Sequence, residues 1–69
     1  MIDLKFGDVV GWDNDGSPVR WMLISPVSRV NWRAAWAVAP EEDTGQFPWE
    51  LGEVQTIGVN DETKVVSRG

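Results

Sequence analysis

Apolar residues in this chain recur at every second position, in short runs separated by clusters of turn-forming residues. The clusters are Asp13-Asn-Asp-Gly-Ser-Pro18, Ser25-Pro26, Pro40-Glu-Glu-Asp-Thr-Gly45, Phe47-Pro48 and Asn60-Asp61. The runs between them are rich in β-branched and aromatic residues, which predicts short antiparallel strands. The first pair is the best determined. Asp15-Gly16 suits the two positive φ values of a type I′ turn, and that turn pairs Trp12 with Val19 and Val10 with Trp21. Val10, Trp12, Val19, Trp21 and Leu23 then share one face; Val9, Gly11, Arg20, Met22 and Ile24 share the other. Turn chemistry and apolar matching point to the same register.

The segment 29–39 requires a choice between helix and strand. As a helix it sets Val30, Ala34 and Val38 on one side and Trp32 and Trp36 nearly opposite. As a strand it aligns Val30, Trp32, Ala34, Trp36 and Val38, with Arg29, Asn31, Arg33, Ala35 and Ala37 behind. The period is 2, so the strand is expected. Strands near 53–59 and 63–67, turning at Asn60-Asp61-Glu62, are expected to form a last hairpin with Val59 opposite Thr63 and Ile57 opposite Val65. The acidic stretch 40–52 reads as irregular. Five short strands and one longer loop predict an all-β, single small domain over 1–69: a strongly bent five-stranded SH3-like barrel, whose closure hides edges open to aggregation.

Size limits what such a fold can bury. A chain of 69 residues buries only roughly 60% of the surface its unfolded form exposes, and small folds compensate with disulfides, a metal or assembly. There is no Cys and no His, which removes disulfides and the commonest zinc ligands. Five Trp remain as the staple, each able to bury on the order of 150–250 Å²; self-association is a further source of stability. The N-terminal segment has no apolar signal-like core, and no apolar run approaches the roughly 18 residues of a membrane span. A cytoplasmic protein is expected.

Charge adds a division that the strand pattern does not show. Between Pro18 and Pro40 the chain carries Arg20, Arg29 and Arg33, the tryptophans Trp21, Trp32 and Trp36, and no acid, although the net charge is −5. Arginine beside indole is the chemistry of stacking and of interface anchoring. Period 2 offers a different account, in which the three rings form the core and the arginines decorate the opposite face or pair with the chain's own acids. Trp12, beside a turn, and Trp49, in a loop with Phe47 and Pro48, are the better candidates for exposed aromatics. That loop can wall a peptide groove, or fold back and plug one end of the barrel. Gly11-Trp-Asp13-Asn-Asp15-Gly16 lacks the first acid and the closing Glu of a calcium loop, and reads as a turn. Glu41-Glu42-Asp43 and Asp61-Glu62 read as solvated loop charges. Without His or Cys a general base near neutral pH would have to be a perturbed carboxylate or lysine, and no catalytic motif, metal site or cofactor site is expected.

Three segments carry a resemblance. Gly7-Asp8-Val9-Val10, Arg20-Trp-Met-Leu-Ile-Ser-Pro26 and Ala37-Val-Ala-Pro40 together resemble the opening half of the PemK/MazF toxin ribonucleases. That resemblance covers about half the chain. It implies an SH3-like barrel with additions, and RNA cleavage in which the arginine at the position of Arg20 matters. Trp21 stands where the family has proline, and Glu41-Glu42 where it has a threonine-bearing segment, so the catalytic pattern is not retained. In its size and lack of cysteine the chain also resembles accessory proteins of phages and other mobile elements.

The expected function is a non-enzymatic interaction module binding a protein partner, including copies of itself. Trp12, Phe47 and Trp49 would be the anchors, with Arg20 and Arg33 setting electrostatic register. The alternatives are a barrel binding RNA or single-stranded nucleic acid through Arg20, Arg29 and Arg33, and a degenerate ribonuclease.

Overall fold

The computed structural model of the chain describes residues 4–60 and 63–68. Strands β1 (Val9–Asn14), β2 (Ser17–Pro26), β3 (Asn31–Trp36), β4 (Val54–Gly58) and β5 (Lys64–Ser67) form one antiparallel sheet in the order β4-β3-β2-β1-β5. The fold is all-β. Among the described residues no helix is long and apolar enough to cross a membrane.

The β1–β2 hairpin has the register that its turn chemistry demands, with Trp12 opposite Val19 and Val10 opposite Trp21. Asp15 (φ 52°) and Gly16 (φ 83°) both occupy the left-handed region, as a type I′ turn requires. Cross-strand pairs Trp21–Trp36 and Leu23–Ala34 carry the pattern into β3, after which the register shifts between Leu23 and Ser25. Such a shift inserts an extra residue into one strand and bends it, which lets the ten-residue β2 curve over the core.

The core lies on the inward face. Val10, Val19, Trp21, Leu23, Trp32, Ala34, Trp36 and Val38 are buried there, and Leu4, Ile57, Val59 and Val65 pack against them. Of the strand expected over 29–39 only Asn31–Trp36 forms; Trp32, Ala34 and Trp36 are buried on it, Val38 is buried beyond its end, and Val30 is exposed. It precedes β3, in the bend after β2, where strand alternation no longer governs.

The expected last hairpin does not form. β4 and β5 occupy opposite edges of the sheet; Ile57 pairs with Trp32, and Val65 with Val10. At the connection, Thr63 N donates to Asn60 O (3.0 Å) and Asn60 N donates to Thr63 Oγ1 (2.9 Å). Asp61 and Glu62, placed at the tip of that hairpin by the sequence reading, lie outside the described residues. The physical reason for the different pairing is β1. Without β5 it would be an edge strand with its buried Val10 beside an open ladder, and Val65 covers that position.

An ion pair ties the two ends of the chain together. Asp8, almost wholly buried, accepts hydrogen bonds from Lys5 N (3.0 Å) and from Arg68 Nη1 (3.1 Å). Its backbone carbonyl also accepts from Leu23 N at 2.8 Å. A buried carboxylate requires such partners, because leaving it unpaired costs several kcal/mol.

Candidate functional site

The two faces of the sheet have different chemistry, and they divide the candidate residues between them. On the inward side Trp21, Trp36, Phe47 and Trp49 form one aromatic cluster. Trp21 and Trp36 meet edge to face, with centroids 5.0 Å apart at 72°. Trp49 lies 5.0 Å from Trp21 and 5.1 Å from Trp36. Phe47 stacks on Trp49 at 5.8 Å and 12°, and touches Trp36 at 5.5 Å. Edge-to-face and offset contacts of this kind add about 0.5–1.5 kcal/mol each to the area buried.

The 40–52 segment is held where it can do this. Ser17 Oγ and Thr44 Oγ1 share a hydrogen bond of 2.6 Å, Gly52 N donates to Trp36 O at 2.8 Å, and Glu42 N donates to Ala39 O at 2.9 Å. Phe47 and Trp49 are therefore half-buried over the core, not free-standing. Trp36 Nε1 is buried without a hydrogen-bond partner among the described residues. That costs about 1–3 kcal/mol, less than the burial of an indole returns at about 25 cal/mol per Å².

The outward face is organised in rows by the registers. Val9, Met22, Ala35 and Val54 are successive cross-strand partners, an apolar row running over β1, β2, β3 and β4. Met22 and Val54 on that row are exposed by 38% and 40%. The row on one side contains Lys64, Gly11 and Arg20; the row on the other contains Ser25, Arg33 and Thr56. The apolar strip is thus bordered by cations on both flanks.

The three arginines are not equivalent. Arg20 folds flat across its strand partner Gly11, donating from Nη1 to Trp12 O (3.0 Å) and to Val19 O (2.8 Å), with Nη2 3.7 Å from Asp13. Glycine is required opposite it. A Cβ at position 11 would run into Val19 O and stand 2.8 Å from Arg20 Cδ. Arg33 and Arg29 are exposed and make no ion pair among the described residues. Arg29 stands apart, in the bend before β3.

Trp12 is exposed by 44% and lines an open cleft of about 350 Å³ with Gly58, Asn60 and Thr63. The structure therefore places Arg20 and Arg33 about the outward strip, Phe47 and Trp49 in the aromatic cluster, and Trp12 at the cleft. Met22, Val9 and Val54 are surface features that sequence reasoning passed over. The first hairpin's register already put Val9 and Met22 on one face, but their alignment with Val54 depends on the β3–β4 pairing. Among the described residues no group of acids could hold a metal ion.

No family model, no curated protein and no solved structure matches this chain.

Proposed function

We propose that this chain is a non-enzymatic interaction module, built on a strongly bent SH3-like barrel, that binds a protein partner through the outward face of its sheet. What supports the bent form is the register shift in β2, which supplies curvature. The observation that carries the functional reading is the apolar row Val9–Met22–Ala35–Val54 between Arg33 on one flank and Arg20 and Lys64 on the other. An apolar centre with a charged rim is the anatomy of a protein interface. The sign of the rim calls for a partner whose own apolar patch is bordered by Asp and Glu. Trp12 alternates onto the face of Val10, so its cleft is separate from this outward surface.

A defined peptide library tests this. Peptides with apolar residues flanked by acids should be selected over their Lys/Arg counterparts, and Met22→Asp and Arg33→Glu should each abolish that selection. A library that yields no acidic–apolar preference overturns the reading.

A nucleic-acid reading rests on Arg29 and Arg33, which are exposed and make no ion pair among the described residues. Against it, Trp21, Trp32 and Trp36 lie in the core, whereas single-strand binding uses exposed aromatic platforms. Titration with single-stranded RNA and DNA at low and physiological salt separates the two. Salt-sensitive binding that Arg33→Glu removes would favour the nucleic acid.

A further inference from the structure

β4 is an edge strand whose chemistry does nothing to discourage pairing. Val54–Gly58 contains no charged residue and no proline, the usual guards of an exposed edge. The opposite edge differs: β5 begins at Lys64, and Arg68 follows it, tied to Asp8. The β3–β4 register determines which backbone groups of β4 are open. Trp36 N donates to Glu53 O and Val59 N donates to Val30 O. In an antiparallel ladder alternate residues form the bonded pairs, so Gln55 and Ile57 direct their amides and carbonyls to β3. Those of Val54, Thr56 and Gly58 point away from the sheet.

We propose that β4 pairs with β4 of a second copy of this chain, antiparallel, across a two-fold axis at Thr56. In that register Thr56 faces Thr56 of the partner subunit, and Val54 of each copy faces Gly58 of the other. Every outward amide then meets an outward carbonyl. An axis at Gln55 or Ile57 leaves one of those residues facing a position beyond the end of the partner strand. A two-fold axis between residues pairs outward groups with groups already bonded to β3. Threonine opposite threonine is a favourable cross-strand pair. The nearest charge, Glu53, falls opposite Val59 of the partner subunit, so no like charges meet. The pairing lengthens the sheet to ten strands, five from each copy, and leaves the outward row of each copy uncovered.

Each copy carries a net charge of −5, so long-range repulsion opposes the pairing and added salt strengthens it. An acidic partner on the outward face responds to salt in the opposite direction. Sedimentation velocity over a range of protein concentrations, from about 0.05 to about 0.5 M salt, should show a monomer–dimer equilibrium whose dimer fraction rises with both. Amide exchange at Val54, Thr56 and Gly58 should slow with concentration, while exchange in β5 should not. The Thr56→Lys variant sets two ammonium groups opposite each other and should raise the dimer dissociation constant roughly fivefold, with the near-UV signal of the tryptophans unchanged. A chain that stays monomeric throughout overturns the proposal, as does a dimer that Thr56→Lys leaves intact or one that protects β5 instead.

Discussion

The inward and outward faces of this sheet are written by the same alternating residues, yet they fold to different ends. Inward, Trp21 and Trp36 are buried against Phe47 and Trp49, and Trp32 and Leu23 belong to the same core. Outward, Met22 and Val54 stay open to solvent beside Arg33. The difference is one of volume and cover. The 40–52 segment crosses only the inward side, where it has large rings to close upon, so hydrophobicity there becomes stability. On the outward side Met22 and Val54 remain exposed. Of the four aligned apolar positions Ala35 is buried and Val9 half-buried, so only Met22 and Val54 of the row are left exposed, and it is on these two that the proposed recognition rests.

This contrast makes its largest prediction at Trp36. Trp36→Ala removes the centre of the aromatic cluster at a cost of about 3–5 kcal/mol, comparable to the whole stability of a small domain. The variant should lose its near-UV circular dichroism without denaturant. Next is Trp49→Ala, which should lower stability by about 2 kcal/mol, read as an earlier urea midpoint. If Trp49→Ala instead keeps full stability, the ring is an anchor and not a cover, and the division between the two faces fails.

Smaller effects sharpen the division. Gly11→Ala forces a methyl group into Val19 O and the Arg20 side chain, and should cost about 1–3 kcal/mol, visible as a lower melting temperature. Met22→Asp and Arg33→Glu sit at the other extreme. Each should change stability by no more than about 0.5 kcal/mol while abolishing selection of acidic–apolar peptides. Marked destabilisation by either would show that the outward face contributes to the fold.

Local signals made part of this structure readable in the linear chain. Asp15-Gly16 names a turn, and the turn sets which of Val10, Trp12, Val19 and Trp21 face one another. The period-2 spacing of Trp32, Ala34 and Trp36 overrides the helix preference of the alanines, and burial follows from it. What escaped reading depends on partners far away in sequence. Residues 53–59 and 63–67 are adjacent in the chain and equally suited to a hairpin. Alternation tells a strand which of its faces is apolar but not which edge it should join. The Asp8–Arg68 pair escaped for the same reason, since its two members lie 60 positions apart.

Sequence by itself determined the strand character of the alternating runs and the register of the first hairpin, and its period-2 spacing offered burial of Trp21, Trp32 and Trp36 as one of two readings. All of these follow from residues within a few positions of one another. Tertiary structure decided that β5 joins β1, that Trp49 and Phe47 close over the core, and that Arg20 is bound to its own hairpin while Arg33 is not. It also aligned Val9, Met22, Ala35 and Val54 into one row. These outcomes turn on which distant segments compete best for the same buried surface and the same open hydrogen bonds, and that competition exists only once the chain has folded on itself.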